Sequence, residues 1–228
     1  MDNLVGAIKS SASKNWTNAP LTLEASLLSE ALGGTKVIAL DDARENNAPV
    51  TATKVYSRPL DSLLKPLMHR SDNFYAEQAL LMVGKGLHQS FDDKKTIAYL
   101  LANDLSDLAQ KPNWVDGSGL SRYNLFTPEN FTSILHKMYK AYSFERLQNI
   151  FPTGGEVGGT LSSNYKNLNG KIFAKTGTLS GQVALSGYLI TKKGKTLIFS
   201  VLVNNHTTTA SNVRKAVEQF IQVLYNKN

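Results

Sequence analysis

The hydrophobic period of this sequence changes after Gly170, and that change constrains the fold more than any other feature. Ile172 to Lys175, Val183 to Ile190 and Thr196 to Val203 read as strands, the last two joined at Lys193-Gly194 as a hairpin. A helix from about Asn212 to Tyr225 follows, with Val213, Ala216, Val217, Phe220, Ile221 and Leu224 along one stripe. Helices first, then an antiparallel hairpin and a covering helix, predict an α+β fold with an antiparallel sheet flanked by helices. The βαβ alternation of a nucleotide-binding sheet is absent.

Upstream, the spacing predicts helices. Residues 1–19 are polar and rich in small side chains, so we expect a poorly structured start and a domain over 20–228. Leu21 to Leu32 reads as a short helix stopped by Gly33-Gly34, Lys36 to Leu40 as a strand, and Arg44 to Pro49 as a loop. Pro59 opens a helix with Leu60, Leu63, Leu64, Leu67 and Met68 on one face, halting near Arg70; a second runs from Phe74 to Val83 and ends at Gly84. Another is expected from about Lys94 to Ala109, then a loop from Pro112 to Asn124. Thr127-Pro128 starts the next helix as N-cap and first position.

Composition bounds the chemistry. With 228 residues, 42% of them hydrophobic and 19% charged, the chain can bury one sizeable core. It has no cysteine, which removes disulfides, Cys-ligated zinc and a thiol nucleophile together. No run of 18 apolar residues suggests a membrane span, and the N-terminus shows no basic-then-apolar signal pattern. The net charge of +7 would suit an anionic partner. It reads as diffuse, with Lys192-Lys193-Gly194-Lys195 as a solvated hairpin tip, and we expect no nucleic-acid partner. His69, His88, His136 and His206 form no ligand-spaced group, so no metal or other cofactor is expected.

Two short motifs stand out. Ser71-Asp72-Asn73 sits at a helix junction, and 104 residues later Lys175-Thr176-Gly177-Thr178 ends a predicted strand. S-D-N with K-T-G, beside S-x-x-K, is the motif set of penicillin-binding proteins and class A β-lactamases. Each triplet alone also fits a bland role, a helix cap and a strand-to-turn sequence. Between them lies Trp114-Val115-Asp116-Gly117-Ser118-Gly119-Leu120-Ser121-Arg122-Tyr123-Asn124, followed by Thr127-Pro128. This stretch closely resembles the signature of the D-alanyl-D-alanine carboxypeptidase/endopeptidase family of low-molecular-mass penicillin-binding proteins. Pro59 to Asn73, Phe151-Pro152 to Leu161 and Leu185 to Tyr188 are similar to that family too, so the resemblance spans about residues 20 to 225.

The resemblance implies part of a β-lactamase/transpeptidase-like domain acting on peptidoglycan stem peptides that end in D-Ala-D-Ala. It implies β-lactams as inhibitors of the full-length protein and a periplasmic or cell-envelope location. In that family a serine attacks the terminal D-Ala-D-Ala carbonyl and water resolves the acyl-enzyme. Ser71, Asn73 and Lys175 would be the catalytic residues, Ser71 in the proton network toward the leaving amine and Asn73 holding the substrate amide. Lys175 would meet the substrate carboxylate with Thr176 and Thr178, the Thr178 N–H would be half of the oxyanion hole, and Gly177 would let the substrate strand lie close. Asp116, Gly117, Ser118 and Gly119 would shape the site.

The family's nucleophile belongs to S-x-x-K, far upstream of S-x-N. Matches occur at Ser11, Ser62 and Ser163, but with 20 serines and 19 lysines in 228 residues about two arise by chance. None has the family's order and spacing. The expectation is a C-terminal part of a longer enzyme, lacking its nucleophile and inactive alone. The alternatives are a non-catalytic cell-wall-binding or scaffold protein with the same fold, and a compact enzyme using Ser11.

Overall fold

A computed structural model describes residues 20–34 and 58–227. The chain divides into two units at Tyr56 and Ser57. In the first, α1 (Pro20–Ala31) is followed by Gly33 and Gly34, both at positive φ (68° and 86°), and the Gly34 N–H closes the end on the Ser29 carbonyl. The poorly structured start expected at 1–19, the strand at 36–40 and the loop at 44–49 lie outside the described residues.

The second unit carries α2 (Asp61–Arg70), α3 (Asn73–His88), α4 (Asp93–Ala102), α5 (Pro128–Ala141) and α6 (Phe144–Ile150). Then come β1 (Ile172–Leu179), β2 (Gln182–Ile190), β3 (Thr196–Asn204) and α7 (Ala210–Lys227). The strands form an antiparallel sheet in the order β1-β2-β3, with Lys175 opposite Ser186 and Thr178 opposite Val183. This is the predicted α+β layout.

Strand alternation divides the core in two. Ile172, Ala174, Val183, Leu185 and Leu189 pack on Val213, Val217 and Ile221 of α7. On the other face Phe173 and Tyr188 pack on Leu135, Leu147, Ile150 and Phe151. Tyr188 is fully buried, and its hydroxyl donates to the Leu135 carbonyl at 2.8 Å, so a polar group deep in the core is satisfied. Burial pushes its phenol well above the usual tyrosine range. Because Phe173 faces the helical layer, Lys175 two residues on faces it as well.

The structure corrects several sequence-based boundaries. α3 does not end at Gly84 but runs on to His88. Gly84 is there for packing: a Cβ would lie 2.3 Å from Thr96 Oγ1 of α4. α4 stops at Ala102 rather than near Ala109, since Asn103 leaves helical geometry and Leu105 turns back onto the Leu100 carbonyl. α6, capped by Ser143, was not expected at all. β1 continues to Leu179, so Lys175-Thr176-Gly177-Thr178 lies inside a strand and not at its end. Thr127 caps α5 as expected, within a capping box completed by the buried Asn130.

Candidate active site

The junction of α2 and α3 builds the first half of the site. Ser71 ends α2 in the left-handed conformation (φ 54°, ψ 52°), which a serine adopts at a cost of about 1 kcal/mol. Its strain is held from both sides: the Asp72 N–H bonds the Leu67 carbonyl at 3.1 Å, and the Asp72 carboxylate caps α3 by accepting from the Tyr75 N–H at 3.0 Å. The result is a tight corner that presents Ser71 and, at the first position of α3, Asn73.

β1 supplies the second half. Lys175 is half-buried, and its ammonium donates to Ser71 Oγ and to the Thr176 carbonyl at 2.7 Å. Burial pushes the Lys175 ammonium down to about 8, because a charge removed from water is disfavoured. It therefore stays mainly cationic at neutral pH. The structure thus brings Ser71 and Lys175 into contact across 104 residues, with Asn73 on the same corner. Thr178 lies on the opposite face of the strand, where the Arg214 guanidinium of α7 donates to its hydroxyl at 2.9 Å. The outer edge of β1 is covered at its start, where Thr153 bridges Phe173 and the Pro152 carbonyl accepts the Ala174 N–H at 3.0 Å, and among the described residues no strand continues along that edge from Lys175 onward.

The loop with Asp116 is tied to this corner by a residue that sequence reasoning missed. Glu77, one turn into α3 from Asn73, accepts the Gly117 N–H and the Ser118 N–H, both at 3.0 Å. The loop comes so close that a Cβ on Gly117 would lie 2.7 Å from the Ala76 carbonyl oxygen. Asp116 is wholly engaged within the loop: its carboxylate accepts from Gly119 N–H (2.6 Å), Ser121 N–H (2.7 Å) and Asn124 Nδ2 (2.9 Å). It acts there as a turn-forming residue. Arg122 donates to the Ser180 carbonyl at 3.2 Å and so links the loop to the β1–β2 turn.

Behind Ser71, the buried His69 lies against Glu156 of the glycine-rich loop at 3.4 Å, and the His69 carbonyl accepts the Thr160 N–H at 3.0 Å. Burial lowers the imidazole below the usual histidine range against the opposing pull of Glu156. Arg214, Glu77, His69 and Glu156 carry no signal in sequence, because each acts through a partner far away in the chain.

The sequence profile of the D-Ala-D-Ala carboxypeptidase 3 (S13) family matches residues 13–224. The chain belongs to that family. It is 30% identical over 189 residues to the D-alanyl-D-alanine carboxypeptidase DacB of Haemophilus influenzae, covering 76% of this chain and 38% of that protein. The crystal structure of penicillin binding protein 4 (dacB) from Haemophilus influenzae, complexed with a β-lactam, is similar at a TM-score of 0.62 and 28% identity. That match covers 75% of this chain and 42% of the other. A TLA-1 β-lactamase structure, at a TM-score of 0.53 and 18% identity over 73% of this chain and 63% of its own, shares the fold alone. The helix-flanked antiparallel sheet of this S13 chain is thus of the β-lactamase/transpeptidase-like type. The chain spans about two fifths of the length of its S13 relative DacB.

Proposed function

We propose that this S13 chain forms the carboxylate-binding side of a serine-type D-Ala-D-Ala carboxypeptidase/endopeptidase that works through an acyl-enzyme on peptidoglycan stem peptides. The observation that carries the reading is the Lys175–Ser71 contact at the open edge of β1. A cation at an unpaired strand edge can hold a terminal carboxylate while the peptide backbone lies alongside the strand.

Each residue then has a task. Lys175, with a pKa of about 8, stays charged at neutral pH and meets the carboxylate. The Thr176 and Thr178 side chains project from the other face of β1, so these two residues serve the edge through their backbone, and the Thr178 N–H polarises the carbonyl under attack. Gly177 keeps the edge free of a side chain. Ser71, which can donate and accept at once, passes a proton toward the leaving amine. Asn73 orients the substrate amide, and Asp116 to Gly119 form a wall fixed by Glu77. Arg214 steadies Thr178 through its hydroxyl. A β-lactam offers the same carboxylate beside a strained amide and would occupy the same edge. Work on stem peptides places the protein in the periplasm or cell envelope.

The acylating serine is assigned to a segment outside residues 58–227. Ser62 and Ser163 are exposed, and neither hydroxyl bonds the lysine three residues on. A catalytic serine needs a base within hydrogen-bond reach. Ser71 has Lys175 but is committed to the relay. Incubation with a fluorescent penicillin, mapped by mass spectrometry, is expected to leave Ser62, Ser71 and Ser163 unmodified. An acyl adduct on Ser71 would show that the relay residue is the nucleophile and would overturn this division of labour.

A further inference from the structure

The charge of this chain is not diffuse. Residues 1–170 hold 17 Lys+Arg against 17 Asp+Glu, whereas residues 171–228 hold eight against one, so the whole net charge of +7 lies in the sheet and its covering helix. The one carboxylate of that layer is turned inward: Glu218 accepts the Tyr165 N–H at 2.6 Å and Asn164 Nδ2 at 3.4 Å. Lys175 and Arg214 are engaged at Ser71 and Thr178. Five of the remaining lysines gather at the opposite end of the sheet.

The backbone brings them there. The Lys171 carbonyl accepts the Ile190 N–H at 2.8 Å, which sets Lys171 beside the β2–β3 turn carrying Lys192, Lys193 and Lys195. The Lys192 N–H bonds the Tyr225 carbonyl at 3.0 Å and Lys193 Nζ reaches the Lys227 carbonyl at 3.4 Å, which adds the end of α7. All five side chains are exposed, and among the described residues none pairs with a carboxylate. Compensation of the α7 dipole accounts for Lys193 and for Lys227, which lies in the last turn, and leaves Lys171, Lys192 and Lys195 without such a role. Like charges crowded at one end cost stability unless a counter-charge is bound.

We propose that this end of the sheet docks a linear phosphate-bearing polymer. Ammonium groups on flexible stems suit phosphates as point charges, without a fixed geometry. The turn from Thr191 to Thr196 carries no apolar side chain to enter a bilayer and no aromatic ring to stack on a base. A polymer is therefore favoured over a membrane or a base-reading nucleic-acid mode. Lys171 and Lys175 are four residues apart on one extended segment, about 13 Å, so a polymer held here leaves the peptide-binding edge free.

Binding of the whole chain to inorganic polyphosphate, read by isothermal titration, tests the proposal. Affinity is expected to fall about tenfold or more between 50 and 200 mM salt, as counterion release requires. Lys192→Gln/Lys193→Gln/Lys195→Gln is expected to weaken it at least about tenfold, while Lys94→Gln/Lys95→Gln on α4 changes it less than about twofold. Circular dichroism checks that both variants fold, and substitution at exposed turn positions leaves the core untouched. No polyphosphate binding at 50 mM salt, equal loss in both variants, or binding to phosphatidylglycerol vesicles in place of polyphosphate would each overturn it.

Discussion

Replacing Lys175 with methionine is expected to make the fold more stable at pH 7 by about 2 kcal/mol and to abolish recognition of a terminal carboxylate. The folded state holds the Lys175 ammonium at about 8 against an ordinary 10.5, so the native chain binds fewer protons than the unfolded one between those values. Below pH 8 the cost of burying the charge is present in full; it is relieved as pH rises toward 10.5. A gap of that size corresponds to about 3 kcal/mol, and the hydrogen bonds lost to Ser71 and Thr176 offset part of it. Urea denaturation at pH 7 and pH 10 is the check: the advantage of the variant should be largest at pH 7 and shrink at pH 10. A variant less stable than the parent at pH 7 would mean that the ammonium is well solvated. A site that holds a destabilising charge for the sake of a ligand is a familiar exchange of stability for function.

The second large effect is expected at Gly187. Gly187 pairs with Ala174, and a Cβ there would lie 2.2 Å from the Phe173 carbonyl oxygen and 2.6 Å from Ala174 Cα. Those are backbone atoms, so Gly187→Val can be accommodated only by parting β1 from β2. We expect a loss of more than about 3 kcal/mol, the upper end of the overpacking range, seen as a large drop in melting temperature. Gly177→Ala is the contrast, because its Cβ would meet only the Ala184 Cβ, at 3.3 Å, a side-chain contact that a shift of a few tenths of an ångström relieves. That variant should fold and lose peptide binding at the strand edge. If Gly187→Val melts like the parent, the close β1–β2 approach that sets Lys175 against Ser71 is not as described.

What was legible in the sequence is what depends on near neighbours. The strand pattern from Ile172 to Lys175, the Thr127-Pro128 cap and the Gly33-Gly34 stop are local signals, and each appears in the structure, the strand running on to Leu179. Gly84 misled because a glycine that ends a helix and a glycine that admits Thr96 look identical in one dimension. The apolar spacing past Ala102 misled because it continues through a turn begun at Asn103. At the site, S-x-N and K-T-G could be paired only through a family resemblance, since nothing local joins residues 104 apart. Glu77 and Arg214 escaped for the same reason, their partners being 40 and 36 residues away. The charge asymmetry needed no structure to count, but the gathering of five lysines at one end did.

The central claim is that the β1 edge at Lys175 to Thr178, facing Ser71, receives a terminal carboxylate. Titration of the isotope-labelled chain with diacetyl-L-lysyl-D-alanyl-D-alanine, followed by amide resonances, tests it most directly. The account predicts saturable shifts at Thr176, Gly177, Thr178 and Ser71, and their disappearance when the same peptide carries a C-terminal amide. Equal binding of the amide, or shifts confined to other surfaces, would contradict it.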